Sequence, residues 1–191
     1  MINISAPEAP VLVIGAAGVD MVGRLRASLQ DGTSNPAHIR LSYGGVARNV
    51  AENLARLGHP VRLITSVGQD VAGRGLLQQI QAAGVDTGAV LQSADFNTGS
   101  YLAVLNSSGE FQLALDDMRA LAALTPAYLR AHTELFKEAS LLFLDANLSP
   151  ATLRTAMSLA RQARLPVVAD PTSLSLATRF QPYLERLLLI T

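Results

Sequence analysis

The sequence predicts an α/β fold: a three-layer α/β/α arrangement with a mostly parallel central sheet, joined to a small antiparallel β lid. Apolar runs of strand length alternate with helical patterns along most of the chain. Acids and amides stand just past several of those runs, and two stretches break the rhythm by alternating polar with apolar residues. Strands buried on both faces read as unbroken apolar runs, whereas a sheet with one wet face alternates.

The elements follow in order. Val11 to Ile14 is the first apolar run, and Val46, Val50, Leu54 and Leu57 then recur at helical spacing. That spacing predicts a helix after Gly45 with those four residues buried, with Arg48, Glu52, Asn53 and Arg56 off the buried stripe and Gly58 as the C-terminal stop. Val61 to Val67 reads as the next strand, Ala72 to Ala83 as a helix, Ser140 to Leu144 as a strand, Ala151 to Ala163 as a helix and Val167 to Ala169 as a strand. Leu187 to Thr191 reads as one more buried strand. A parallel sheet rarely stops on a strand without a covering helix, so residues 1–191 are expected to be the amino-terminal portion of one longer α/β domain.

The exceptions form the lid. His38 to Tyr43 alternates, and Ser100 to Leu105 and Glu110 to Leu115 flank Asn106-Ser107-Ser108-Gly109, a hairpin signature with glycine in the turn. Together with residues near 20–25, these segments (38–43 and 99–116) are expected to form a small sheet over a pocket. An exposed flat sheet of this kind also suits pairing into a homodimer.

Composition narrows the function. At 191 residues with 49% hydrophobic content the chain builds a sizeable core. Lys and Arg equal Asp and Glu at 15 each, so no overall field favours nucleic acid or an anionic membrane. The absence of cysteine excludes a disulfide framework, a thiolate metal site and a cysteine nucleophile, and fits a reducing cytoplasm. Met1 to Pro10 lacks the basic and apolar regions of a secretory signal, and no apolar run approaches the roughly 18 residues of a membrane span. The three histidines, His38, His59 and His132, have no metal-ligand spacing. The expected partner is a small molecule, met in the cytoplasm.

The stretch from Tyr43 to Gly58 carries the chemistry. Gly44-Gly45 permits close backbone approach or positive φ, and the N–H groups of the following helical turn are expected to face a ligand. Asn49 in that turn both donates and accepts, which suits sugar hydroxyls. Asp20 lies shortly beyond the first strand, where a carboxylate accepts two hydroxyls at once. Asp145 and Asn147 follow the strand ending at Leu144, and Asp170 follows the one ending at Ala169, so several strands deliver polar groups to one edge. Asp116-Asp117 is placed to return from the hairpin toward the same region. Gly15-Ala16-Ala17-Gly18 is a poor dinucleotide fingerprint, because G-x-G-x-x-G is absent and position 21 is Met.

These residues resemble a family. Gly44-Gly45, Asn49, Ala51, Gly58 and Gly68 fall at the spacings of the first signature of the PfkB-type, ribokinase-like carbohydrate kinases. The resemblance continues through Gly68-Gln69-Asp70, Gly73, Leu76-Leu77, Ile80, Ala83-Gly84-Val85-Asp86 and Thr98-Gly99-Ser100 to Gly109, and so covers essentially the whole chain. Asp117-Met118, Asp145-Ala146-Asn147 and Asp170-Pro171 resemble the branch that phosphorylates pseudouridine, and Val46 stands where ribose-specific members usually carry lysine.

The resemblance implies transfer of the ATP γ-phosphoryl group to a sugar hydroxymethyl, here giving a nucleoside 5′-phosphate. It implies ATP and Mg2+ as cofactors; Asp20, Gly44, Gly45 and Asn49 as holders of sugar hydroxyls; Asp117, Asp145 and Asn147 on the substrate side; and Asp170 near phosphate or metal. The family's second signature, Gly-Ala-Gly-Asp, supplies the general base and an anion-binding helix N-terminus, and no such string occurs here. The chain alone is therefore expected to contain no catalytic residue and no activity. The alternatives are another sugar kinase of the family, acting on ribose, fructose or a related sugar, and a non-catalytic sugar-binding or dimerisation module.

Overall fold

The apolar run Val11–Ile14 forms β1, buried along its full length, with Leu12 and Ile14 on one face of the central sheet and Val11 and Val13 on the other. The structure, a computed structural model, describes residues 9–190. Met1 to Glu8, within the segment read as lacking a secretory signal, and Thr191, the last residue of the final apolar run, lie outside the described residues.

The chain continues through β2 (Gly18–Leu25), β3 (Ala37–Gly44), α1 (Val46–Arg56), β4 (Val61–Ile64), β5 (Ser66–Gly68), α2 (Val71–Ala82), β6 (Leu91–Ser93), β7 (Gly99–Leu105) and β8 (Phe111–Asp117). A 3-10 turn over Arg119–Ala123 leads to α3 (Pro126–Ala131), α4 (Thr133–Glu138), β9 (Leu141–Asp145), α5 (Pro150–Ala163), β10 (Val167–Asp170) and α6 (Leu174–Ala177). A second 3-10 segment, Thr178–Arg186, precedes β11 (Leu189–Ile190).

The central sheet has the order β11-β10-β9-β1-β4, with every pairing parallel. Helices α1 and α2 cover one face through Ala47, Ala51, Leu76 and Ile80. The other face packs α3, α4 and α5 through Leu129, Phe136, Leu153, Ala156 and Met157. Each fully buried Leu, Ile or Phe contributes about 1.5–3 kcal/mol by leaving water, so this double-sided burial selects the three-layer arrangement.

Two expectations are corrected. The run Val61 to Val67 is two strands, β4 in the central sheet and β5 pairing with β6, with the break at Thr65. The lid sheet has the order β3-β2-β7-β8 and is mixed, because β2 pairs antiparallel with β3 but parallel with β7. The hairpins β2–β3 and β7–β8 are local, but the two are joined by the long crossover through α1 and α2, which brings β7 in alongside β2 in the same direction.

The lid is tied to the body at its base. Asp70 caps α2 by accepting the Gly73 N–H at 2.7 Å, and also accepts the N–H and hydroxyl of Thr98, next to the start of β7, at 2.7 and 2.6 Å. Burial pushes the Asp70 carboxyl up, but the bonds from Thr98 and Gly73, together with nearby Arg74, outweigh it and hold the group below 3.8.

Candidate active site

The strand ends of the central sheet meet the lid at one edge. Asp145 ends β9 beside Asp170 of β10 in the parallel register, and Gly15 follows β1 one step past the Ile14–Leu144 pair. Asp145 is fully buried. One of its oxygens accepts the N–H groups of Ala16 and Ala47, at 2.7 and 3.2 Å, and the other accepts the backbone and side-chain N–H groups of Asn147, at 2.9 and 3.1 Å. Burial pushes its carboxyl above the usual range, and these hydrogen bonds pull back against that. Its carboxylate thus braces three loops from inside.

This changes the reading of the α1 N-terminus. Gly45 at the cap offers no side chain, so Ala47 N–H is satisfied by Asp145 and Arg48 N–H by the Ala16 carbonyl at 3.1 Å. These two donors, expected to face a ligand, are held within the fold. The Gly-Gly pair remains necessary for another reason. Gly45 has φ 96°, and a β-carbon there would lie 2.5 Å from the Ala16 carbonyl oxygen. A β-carbon at Gly44 would overlap the Asp20 carboxylate.

Asp20, in β2, therefore lies directly over Gly44, half-buried, with burial raising its pKa and the charge of Arg48 lowering it. The lid register extends this placement: Asp20, Ser42, Tyr101 and Asp116 occupy one cross-strand row and so share a face. Asp117 sits in the adjacent row, opposite Ser100, and is bound to Arg119 at 2.6 and 2.9 Å, which holds its carboxyl down at about 2. Asp116, rather than Asp117, joins the row of Asp20. Strand alternation determines this choice, and a two-residue Asp-Asp run conceals it.

Asn49 is exposed in the first turn of α1. Its neighbour Arg48 is a larger correction, because Arg48 and Glu52, expected on the wet face, are only 6% and 8% exposed while Leu57 is 75% exposed. The helix is rotated from the predicted stripe so that the small side chains of Ala47 and Ala51 meet the sheet. Arg48 Nη1 donates to the Tyr43 carbonyl at 2.8 Å and to Asn49 Oδ1 at 2.6 Å; Nη2 pairs with Glu52 and reaches Gln79 Oε1 at 3.2 Å. A hydrophobic stripe search does not detect such a buried ion pair; the i, i+4 placement of Arg48 and Glu52 was the available signal.

On the other side, Asn147 Nδ2 also donates to Thr172 Oγ1 at 3.3 Å, and Asp170 Oδ1 accepts the Thr172 N–H at 2.6 Å. Thr172 has φ 62°, a left-handed conformation that a β-branched residue adopts only when its surroundings impose it. The edge thus brings together Asp20, Gly44, Gly45 and Asn49 on the lid side and Asn147, Asp170 and Thr172 on the sheet side, with Asp145 beneath them. Among the described residues no three His, Asp or Glu side chains cluster as a metal site. Nor is any helix among them long and apolar enough to cross a membrane.

The sequence profile of the pfkB family carbohydrate kinases matches residues 9–190. The chain is 39% identical over 163 residues to a pseudouridine kinase of Escherichia coli, covering 85% of this chain and 51% of that protein. The solved structure of a carbohydrate kinase from Agrobacterium tumefaciens superposes with a TM-score of 0.85 at 34% identity, over 95% of this chain and 60% of that one. A ribokinase of Arabidopsis thaliana, solved with ribose and ATP, shares the fold at a TM-score of 0.79 and 20% identity, over 87% of this chain and 54% of that one. The chain spans about half the length of the curated relatives it matches. With its ribokinase-like α/β fold and mixed lid sheet, the chain belongs to the pfkB family of carbohydrate kinases.

Proposed function

We propose that this chain supplies the substrate-binding half and lid of an ATP-dependent kinase that phosphorylates pseudouridine at its 5′-hydroxymethyl. The observation carrying this reading is the placement of the Asp20 carboxylate over Gly44, with Asn49 in the helical turn that follows Gly45. A carboxylate accepts two hydroxyls and an amide donates to a third group. The identity to a pseudouridine kinase supports the choice of nucleoside. Asn147 and Asp170 are proposed to face the substrate and its transferring phosphoryl group, with Asp145 positioning both loops from below. Closure of the lid excludes water that would otherwise accept that group.

Catalysis requires groups that the sequence lacks, since no Gly-Ala-Gly-Asp string offers a general base at a helix N-terminus. The 191-residue chain is therefore proposed to bind pseudouridine without turning over ATP. Calorimetry of the chain, beside an ATP-coupled assay of a form extended past Thr191 by a Gly-Ala-Gly-Asp segment, tests this. Turnover by the chain alone, or preference of the extended form for ribose, fructose or adenosine, defeats the proposal; binding without turnover in both forms favours a sugar-binding module.

The lid is further proposed to pair with the lid of a second copy. Its other face carries the rows Met21, Leu41, Leu102, Leu115 and Gly23, Ile39, Val104, Leu113, with Ile39 73%, Leu41 65% and Leu115 66% exposed. These rows carry no charge, so two copies related by a twofold axis meet without repulsion.

A further inference from the structure

We propose that Arg48 is a positioning residue for substrate binding, which locks the side-chain amide of Asn49 so that its Nδ2 donor, rather than its carbonyl, faces the ligand. The inference rests on the reading of Asn49 as a substrate contact, and it adds which end of the amide is used and what holds it.

The chemistry leaves one assignment. A guanidinium only donates, so the Asn49 atom lying 2.6 Å from Arg48 Nη1 has to be the acceptor Oδ1. The amide is planar, and fixing Oδ1 toward the Arg48 guanidinium directs Nδ2 away from it. The orientation persists because Arg48 itself is immobilised: it is buried, and Nη2 is held by Glu52 and Gln79 while Nη1 also holds the Tyr43 carbonyl. Glu52 is held in turn by Arg56 Nε and Nη2, at 3.0 and 2.6 Å. Breaking one partner of a buried ion pair is costly, so these contacts restrain the guanidinium.

The Tyr43 contact gives the network a second consequence. Tyr43 immediately precedes Gly44 at the end of lid strand β3. One guanidinium nitrogen therefore holds both the lid strand and the substrate amide, and displacing that strand disturbs Asn49.

The test is a double-mutant cycle on the 191-residue chain, with pseudouridine as the titrated ligand. Asn49→Ala and Arg48→Lys are each expected to weaken binding about tenfold, the effect of one lost or misdirected hydrogen bond. The double variant should bind within about twofold of Asn49→Ala, because Arg48 acts through Asn49. Losses that multiply to about a hundredfold overturn the positioning role alone. Failure of the unmodified chain to bind pseudouridine, or an Asn49→Ala variant that binds normally, overturns the reading of the site and the proposal with it.

Asn49→Asp gives a check that leaves Arg48 intact. It keeps an acceptor for the guanidinium but removes Nδ2, so it should melt near the parent temperature and bind as weakly as Asn49→Ala. Parent-like affinity overturns the proposal. In the 15N spectrum, the Asn49 side-chain pair should shift on adding pseudouridine and should already be displaced in ligand-free Arg48→Lys; an undisplaced pair overturns it as well.

Discussion

The Asp145 carboxylate accepts the backbone N–H of Ala47, 98 residues away in sequence, at 3.2 Å. It thereby caps a helix whose own cap residue, Gly45, has no side chain to do so. Replacing Asp145 by Ala removes the acceptor for Ala16, Ala47 and Asn147 at once and leaves buried donors unpaired. A loss of about 2–4 kcal/mol is expected, measured as a fall in the urea midpoint with unchanged slope. Hydrogen exchange should show Ala47 and Ala16 losing protection first; uniform loss across the sheet contradicts the capping role.

Gly45→Ala tests the loop on the other side of that cap. Its φ of 96° and the Ala16 carbonyl 2.5 Å from an added β-carbon both oppose a side chain. Strain of this kind costs about 1–3 kcal/mol. Gly58, also at positive φ but with nothing within 4 Å of an added β-carbon, is the control. Gly58→Ala should cost less, about 1 kcal/mol from φ alone, and leave pseudouridine binding intact, whereas Gly45→Ala should weaken it.

The α/β body is legible in the sequence because each strand buried on both faces must be apolar throughout, and each has a helix beside it to cover it. The nearness of Asp20 to Gly44 is legible for a related reason: glycines and acids just past apolar runs mark one edge. The parallel β2–β7 pairing is not legible, since it joins strands about 80 residues apart and local alternation carries no direction. Arg48 is misread because charge is taken as a sign of exposure, while its burial depends on Glu52, Gln79 and the Tyr43 carbonyl arriving together. Asp116 and Asp117 differ by one step of the pleat, which only the register resolves.

Asp20 makes the site pH-dependent in a stated direction. Its pKa in the folded chain is raised above 3.8 by burial, with Arg48 opposing, so the native state holds this proton more tightly than the unfolded chain. Its contribution to stability is full below 3.8 and is lost as pH rises through the raised value. Asp20→Asn removes that loss, so its stability should fall less than the parent's on going from pH 4 to 7. Ligand binding runs the other way, because the ionised carboxylate is the better acceptor for two hydroxyls. Pseudouridine affinity should climb over the window in which stability falls and then level off, and calorimetry at several pH values checks this. A flat affinity profile rules out Asp20 as the titrating acceptor.

Asp70 has the opposite sign. Its folded pKa is depressed, so its stabilisation is present above 3.8 and fades as pH falls below that value. Asp70→Ala removes the α2 cap and the tie to Thr98 beside β7, and a cost of about 1–2 kcal/mol near neutral pH is expected. Melting temperatures of parent and variant should draw together as pH falls through the depressed value of Asp70. A difference that does not narrow with falling pH assigns the effect to packing rather than to the charged cap.

The lid face supplies the last prediction. Leu41 and Leu115 are in the same cross-strand row, separated by Met21 and Leu102, and both are mostly exposed. In a lone chain, replacing either by Asp changes little, since surface substitutions typically stay within about 0.5 kcal/mol. In a twofold pair the same change buries an unpaired charge in an apolar interface twice over, which is costly. Sedimentation of the parent should therefore show a dimer, with Leu41→Asp and Leu115→Asp monomeric and still able to melt cooperatively. The polar row of Asp20 lies on the opposite face, so a monomeric variant that retains pseudouridine affinity separates pairing from binding; one that loses both shows that the pocket is completed by the second copy.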